Sequence, residues 1–180
     1  MKKTLLSLSI FALGLLNGQK VDVKVSYGTA SLYGVSESIV RDVVSIIIPG
    51  NEIADYTSDG VLGVDVMLHS SNNKWRYGLG YQYETVKDDR FNVKGNFNTL
   101  LAQADYSWLN PDRKFKLYSG AGVGAIMTKF SQGAIKDDSE VGFAFNVTPI
   151  GFSYGEKFAV FLETNVGTKG IVQGGVSYTF

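Results

Sequence analysis

The sequence of this 180-residue chain has no cysteine, one histidine and three prolines. Without cysteine, disulfides, thiol nucleophiles and cysteine-based zinc sites are excluded. A single histidine argues against a dedicated transition-metal site, so we expect neither a metal nor another cofactor. Stability has to come from backbone pairing and packing alone.

An excess of positive charge is also missing. The chain has 17 basic and 17 acidic residues, and residues 1–18 hold two of the lysines and none of the acids. The remainder has 15 basic and 17 acidic residues, a net charge of −2. This balance gives no basic footprint for nucleic acid, which we exclude as a partner.

Long apolar runs are confined to the N-terminal stretch. Lys2 and Lys3 precede an apolar run over residues 5–16, and the small residue Gly18 follows it. The run is too short to cross a membrane as a helix, and no stop-transfer flank comes after it. We predict a secretory signal peptide at residues 1–18 and one domain at residues 19–180, beginning with Gln19.

What the sequence does contain is glycine and aromatic residues in patterns of period two. Successive side chains of a β-strand point to opposite faces, so a segment that alternates apolar and polar residues predicts a strand with one apolar face. Eight segments alternate in this way: "VDVKVSYG", "LGVDVMLH", "WRYGLGYQYE", "LLAQADYSW", "FKLYSGAGVGAIM", "GFAFNVTPIGFSY", "KFAVFLETNVG" and "IVQGGVSYTF". The sixth segment changes phase at Pro149, which predicts a β-bulge.

The connections between these segments alternate in length. Short ones read "SSNNK", "NPDRK" and "GEK", longer ones span residues 32–59, 87–96 and 131–140, and the last, "TKG", is short. Outer-membrane barrels have short turns on the periplasmic side and longer loops outside. We expect strands of about 9–12 residues, the length that a tilted strand needs to cross a bilayer.

Two folds fit a two-faced strand. In a soluble sandwich or lipocalin-like barrel the apolar face points inward, whereas in a membrane barrel it points to lipid. Here the polar face carries charges in mid-strand, which a narrow interior accommodates. The apolar face is aromatic beside the short turns, which predicts a girdle at one membrane interface: Trp75, Tyr106, Trp108, Phe115, Tyr154, Phe158, Tyr178 and Phe180. The membrane barrel is therefore the better interpretation.

The C-terminal segment carries a resemblance to a known family. Its polar residue, glycine and two aromatic residues, at Gln173, Gly175, Tyr178 and Phe180, resemble the β-signal that the outer-membrane assembly machinery reads. Together with the signal peptide and the eight alternating segments, they make residues 19–180 resemble the small outer-membrane β-barrel proteins of Gram-negative bacteria, the OmpX/OmpA-like class with its porin-family β-barrel domain.

This resemblance implies a fold and a location. The expected fold is all-β: an eight-stranded antiparallel up-and-down transmembrane β-barrel in the cell outer membrane. The expected partners are outer-membrane lipid and the assembly machinery, and the expected state is a monomer. A functional role that family members place in their outer loops does not transfer, because the first loop here is long and apolar and the last is short.

The interior of such a barrel is just wide enough for side chains. Buried charges are tolerated when they are paired, which favours a hydrogen-bonded plug. Acids outnumber bases among the residues predicted to face inward, so the alternative interpretation is a narrow cation path. These residues are Asp22, Lys24, Asp65, Arg76, Glu84, Asp105, Lys116 and Glu163.

His69 raises the question of an enzyme, because some eight-stranded barrels modify lipid A with a histidine and a serine. His69 precedes Ser70 and Ser71 at a short turn, so we expect it at the periplasmic end, facing inward, whereas such a site should face the outer leaflet. We find no acid–base partner for it in the sequence and expect no catalytic residue.

The segment "SESIVRDVVSIIIPG" in the first long connection is unusual. Ile39, Val43 and Ile47 recur at helical spacing and Pro49 provides a stop, although "VVSIII" also suits a strand. We expect a short helix in the first outer loop that binds the barrel mouth or an envelope or surface partner. The sequence thus favours a non-enzymatic structural or interaction protein, over a narrow ion or small-solute channel and a lipid A-modifying enzyme.

Overall fold

The computed structural model describes residues 20–33, 57–88, 93–109, 114–132 and 135–180. The predicted signal peptide and the predicted loop helix with Ile39, Val43 and Ile47 lie outside the described residues. Within the described ranges, no helix is long and apolar enough to cross a membrane.

Eight antiparallel strands form one closed barrel in which each strand pairs with the next and the last pairs with the first. Asp22 to Gly28 of the first strand pair with Thr179 to Gln173 of the last. The predicted up-and-down barrel is therefore confirmed. The strands are β1 (Val21–Gly28), β2 (Thr57–His69), β3 (Trp75–Asp88), β4 (Val93–Ser107), β5 (Phe115–Gln132), β6 (Ile135–Gly155), β7 (Phe158–Gly167) and β8 (Val172–Thr179).

The barrel has two unlike ends. The terminal end carries the start of β1, the end of β8 and the three turns at residues 70–74, 108–114 and 156–157. The long-loop end carries the other four connections, of which the β7–β8 connection covers only residues 168–171. In the orientation expected from the sequence, the terminal end faces the periplasm.

The side chains are arranged inside out relative to a soluble protein. Along β7 burial alternates strictly: Glu163 is 2% exposed, whereas its neighbour Leu162 is 50% exposed. The same alternation sets exposed Val64 against buried Asp65 on β2. A soluble sandwich or lipocalin-like barrel would have the opposite polarity, so the outer surface is made for lipid.

Aromatic side chains mark both edges of this apolar belt. At the terminal end Trp75 lies 4.9 Å from Tyr106, ring centroid to ring centroid, and Tyr178 lies 4.8 Å from Phe180. Toward the long-loop end, the Tyr81 hydroxyl donates to Asn98 Oδ1 at 2.6 Å and Tyr83 donates to Asn96 at 3.0 Å. Tyrosines at a membrane interface typically place the ring in lipid and the hydroxyl at a polar partner.

The predicted strand length of about 9–12 residues fits β7 but is wrong for β2 to β6, which are longer, and two of the predicted loops are wrong. β3 to β6 contain 14, 15, 18 and 21 residues, and most of residues 87–96 and 131–140 continue the hairpins. The connections themselves shrink to residues 89–92 and 133–134. Beyond the bilayer a strand needs no apolar face, so pairs such as Lys87 opposite Lys94 give no alternating signal.

The bulge at Pro149 is confirmed. The register between β6 and β7 shifts between Val147 and Ile150. Because proline has no N–H to donate to the ladder, strand prolines sit at such irregularities. The shift turns Thr148 and Gly151 both toward the interior.

The interior glycine Gly151 makes room for a large ring. A Cβ added there would collide with the ring of Tyr118, which is 1% exposed. On the outer face of β8, by contrast, a Cβ at Gly174 would meet only ordinary contacts at 3.6 and 3.7 Å.

We therefore expect Gly151→Ala to lower the free energy of unfolding by about 1 to 3 kcal/mol, since the ring cannot move without disturbing its neighbours. Gly174→Ala is the matched control and should change it by less than about 0.5 kcal/mol. Urea unfolding of the two variants in lipid vesicles measures this difference. Equal stabilities would show that the interior is loosely packed.

Candidate functional site

The barrel interior brings together the polar faces of all eight strands. Asp22, Asp65, Glu84, Asp105 and Glu163 are 7% exposed or less, as are Lys24, Arg76 and Lys169. Five carboxylates and three cations thus share a space from which water is largely excluded. Such charges are tolerated only when they are paired and hydrogen-bonded.

Nearest the terminal end, Arg76 bridges two carboxylates. Its Nη2 donates to Asp105 Oδ2 at 2.8 Å and its Nη1 to Asp22 Oδ2 at 3.3 Å. The Thr179 hydroxyl donates to the other Asp22 oxygen at 2.6 Å. The guanidinium also stacks over the Tyr118 ring at 4.6 Å, which adds a cation–π contact.

His69 belongs to the same cluster, contrary to the expectation that it has no acid–base partner. Its Nε2 lies 2.8 Å from Asp22 Oδ2. Asp22 and His69 come from strands that neighbour each other in the barrel, β1 and β2. The prediction of an inward position at the terminal end is confirmed, since the side chain is 8% exposed.

In the middle of the barrel, Lys24 pairs with Glu163. Glu163 Oε1 also accepts a hydrogen bond from the Tyr118 hydroxyl at 2.7 Å. The Lys24 ammonium lies 4.4 Å from the centroid of the Phe161 ring. A cation between a carboxylate and an aromatic face is satisfied on both sides.

Toward the long-loop end, the short β7–β8 connection folds into the barrel. Lys169, at 4% exposure, places its Nζ 2.7 Å from Asp65 Oδ2. Its backbone N–H donates to Asn146 Oδ1 at 3.2 Å. Gly167 and Gly170 have φ of 139° and 85°, conformations that side chains rarely adopt, and they allow the inward fold.

The start of the first long connection crosses the same end of the barrel. The Ser31 hydroxyl and backbone N–H both donate to Glu84, as does the Ser58 hydroxyl at 2.6 Å. The Tyr33 hydroxyl reaches the carbonyl of Phe143 at 3.1 Å, on the far side. Tyr33 packs on an inward apolar cluster that closes this region: Val86, Phe97, Leu101, Ile126 and Ala144.

Seven of the eight residues predicted to face the interior are buried there, namely Asp22, Lys24, Asp65, Arg76, Glu84, Asp105 and Glu163. The eighth, Lys116, is half-buried and lines a cavity at the terminal end. Sequence reasoning missed Tyr118 and Lys169. Tyr118 shares the face of Gly120, Gly122 and Gly124, a signal that a bulky group fills the space these glycines leave.

The four residues that resemble a β-signal occupy two faces of β8. Tyr178 and Phe180 are 44% and 56% exposed on the lipid side. Gln173 is 1% exposed and donates through Nε2 to Ser26 at 2.8 Å inside the barrel, the side on which Gly175 also lies. Among the described residues, no three histidine or acidic side chains come together as metal ligands.

The Lys169–Asp65 pair allows a direct test of this packing. Lys169→Gln leaves a carboxylate buried without its cation, which should cost about 3 to 5 kcal/mol of unfolding free energy. Lys114→Gln is the control, because its partner Glu156 is 3.4 Å away and the two side chains are 64% and 71% exposed. The free energy of unfolding of Lys114→Gln should fall by less than about 1 kcal/mol. Urea titration in vesicles compares the two; similar losses would mean that Lys169 is not held inside in solution.

Comparison with known proteins agrees with the architecture. No protein-family model and no curated protein matches the chain. The N-terminal β-barrel domain of Pseudomonas aeruginosa OprF superposes with a TM-score of 0.54 at 14% identity, over 89% of this chain and 97% of that one. Neisserial surface protein A superposes with a TM-score of 0.49 at 12% identity, over 90% of this chain and 94% of that one. Ail of Yersinia pestis superposes with a TM-score of 0.43 at 13% identity, over 90% of this chain and 97% of that one.

At these identities the likeness extends to the fold alone. An even number of antiparallel strands, a closed ladder, an apolar exterior between two aromatic edges and a polar interior are the features of barrels in bacterial outer membranes. On this architecture, the chain is an outer-membrane β-barrel protein.

Proposed function

We propose that this protein is a non-enzymatic component of the outer membrane that acts as a structural or surface-interaction protein through its outer loops. The observation that carries this proposal is the filled interior. Ion pairs run from Asp22 and Arg76 at one end, through Lys24 and Glu163, to Asp65 and Lys169 near the other. When packed side chains fill the interior of a barrel, the loops are the part that contacts other molecules.

The long-loop end supports this proposal further. Lys169 and the chain from Ser31 to Tyr33 cover the interior from two directions. Lys169 is held by hydrogen bonds to β2 and β6, and the chain from Ser31 to Tyr33 by hydrogen bonds to β3 and β6. These segments therefore stabilise the barrel and also hold the base of the outer loops in place. A rigid base favours specific recognition by whatever residues the loops present.

The proposed partners follow from the outer surface. Exposed apolar side chains on all eight strands require lipid around the barrel. The ladder has no free strand edge among the described residues, because β1 pairs with β8, which favours a monomer. We propose that Gln173, Gly175, Tyr178 and Phe180 serve as the signal for the assembly machinery, with both aromatic side chains accessible to it.

The second candidate function is a narrow ion or small-solute channel, favoured by the polar interior. Conduction would require the ion pairs and the cover at the long-loop end to open. A lipid A-modifying enzyme is the weakest candidate. His69 and Asp22 lie at the terminal end, and the neighbouring Ser70 hydroxyl is used in the turn, donating to Asn72 at 2.7 Å and accepting from the Trp75 N–H at 3.1 Å.

We expect no steady conductance when the purified barrel is reconstituted in planar bilayers, because paired side chains fill the interior. A sixteen-stranded porin, reconstituted in the same way, is the positive control. A water-filled bore conducts on the scale of about a nanosiemens. Sustained openings of that size would favour the channel over the structural or surface-interaction role.

The loop hypothesis has its own test. Residues 39–48 hold four isoleucines and three valines, and an apolar composition of this kind in a predicted outer loop favours an interaction site. Replacing Ile39, Val43 and Ile47 with serine should leave barrel assembly unchanged and reduce binding of envelope partners in pull-downs from cross-linked cells. Ser36→Ala combined with Asp42→Asn is the control in the same segment. Full retention of partners and of surface-protease resistance by the triple variant would refute this role.

A further inference from the structure

Three lysines lie side by side on the outer wall of the barrel near the long-loop end. Lys87 on β3 is directly opposite Lys94 on β4. Lys129 on β5 is opposite Asn96, the next outward position of β4, and is therefore the diagonal neighbour of Lys94. Lys94 and Lys129 are exposed, and the Lys87 side chain is 44% exposed. We call these three residues the lysine row.

The lysine row carries an excess of positive charge. Like charges directly opposite each other on neighbouring strands are destabilising. Asp59 forms an ion pair with Lys87, and its side chain is 53% exposed. On this face, the described side chains of the row thus set three ammonium groups against one carboxylate, a net charge of +2. An anion from outside the protein would relieve the repulsion within the row.

The lysine row lies at the level of lipid headgroups. On the same face, the Tyr83 hydroxyl donates to Asn96 and the Tyr81 hydroxyl to Asn98, which marks the edge of the apolar belt. Lys94 is two residues beyond Asn96, about 7 Å further along the strand. A lysine stem can lie along apolar surface while its ammonium reaches the polar layer. In the orientation expected from the sequence, this layer belongs to the outer leaflet.

An open groove of about 440 Å³ continues this surface toward β1 and β8. Three of its lining residues give it an apolar part and three a polar part: Tyr27, Val172 and Gly174, and Thr29, Ser58 and Asp59. The Tyr27 hydroxyl donates to the carbonyl of Asp59, whose carboxylate pairs with Lys87. The groove and the lysine row therefore adjoin at Asp59 and can contact a single ligand.

We propose that this surface binds an outer-leaflet glycolipid whose headgroup carries two phosphates, with the phosphates on the lysine row and an acyl chain in the apolar part of the groove. Opposite side chains on paired strands are about 5 Å apart and diagonal ones about 7 to 8 Å, so the row spans about 12 Å. A headgroup with one phosphate occupies only part of this span. Two phosphates reach all three ammonium groups through charge-assisted hydrogen bonds.

This inference rests on the proposed lipid surroundings of the barrel and names the class of lipid. Native mass spectrometry of the mature protein, folded in a neutral maltoside detergent, tests it. The probes are diphosphorylated lipid A, monophosphorylated lipid A with the same acyl chains, and phosphatidylglycerol. The diphosphorylated form should bind about 5-fold more tightly than the monophosphorylated form, the factor that one basic residue contributes at an anionic lipid surface.

Failure of the inference and failure of the proposed lipid surroundings give different results. Protein that folds in phosphatidylglycerol vesicles but binds the three probes equally would overturn the glycolipid site alone. Protein that folds in no lipid would overturn the lipid surroundings as well. High salt should weaken the preference for the second phosphate, because exposed charges are screened.

Matched pairs of lysine variants locate the site. Lys94→Gln with Lys129→Gln should weaken binding of diphosphorylated lipid A about 10- to 30-fold, whereas Lys94→Arg with Lys129→Arg should retain it. Lys74→Gln with Lys157→Gln removes the same charge from exposed positions at the terminal end and should change binding by less than about 2-fold. Equal weakening by the two glutamine pairs would overturn the site, since the lipid then responds to net charge alone.

A substitution in the groove tests the acyl chain separately. Gly174 faces outward, and a Cβ there would meet Leu162 Cδ1 at 3.7 Å, an ordinary contact, so the barrel should tolerate Gly174→Leu. The added side chain fills the apolar part of the groove. It should weaken both forms of lipid A alike, about 4-fold, the contribution of one buried methylene group. Unchanged binding would exclude the groove from the site.

Discussion

Closure of β1 onto β8 is the constraint on which the rest of the structure depends. Inside a bilayer no water is present to pair with an open strand edge, so every N–H and C=O must find a partner in the ladder. The seven residue pairs from Asp22–Thr179 to Gly28–Gln173 remove both edges at once. Closure with only eight strands also leaves a narrow interior that side chains have to fill.

That narrow interior explains why the charges are arranged as they are. Each buried carboxylate is expensive unless several donors reach it. Asp22 receives Arg76 and Thr179, and Glu163 receives Lys24 and Tyr118. Such sets of partners come from strands that are distant in sequence, so they exist only after the ring has closed. The polar network is a consequence of closure and in turn stabilises it.

Because the polar network depends on closure of the barrel, the sequence predicts the strands better than it predicts the contacts inside. Alternation within a strand is local, so the eight strands, their lipid and interior faces and the bulge at Pro149 follow from period two alone. The Asp22–His69 contact depends on β1–β2 pairing across 47 positions, which no local pattern records. Lys169 lies in a turn, where a charged residue is usually solvated, and only the inward fold between Gly167 and Gly170 buries it. The hairpin extensions beyond lipid lack alternation altogether.

The two ends of the barrel differ in how the protein closes them. At the long-loop end, chain segments supply the acceptors and donors that the interior needs: Ser31 serves Glu84, and Lys169 serves Asp65. At the terminal end Arg76 and His69 share the carboxylate of Asp22, and a cavity of about 290 Å³ opens between the turns. The interior is thus covered by chain segments at the long-loop end and open to solvent at the terminal end. The cover at one end and the Asp22 cluster at the other involve separate residues, so variants at one end test that end alone.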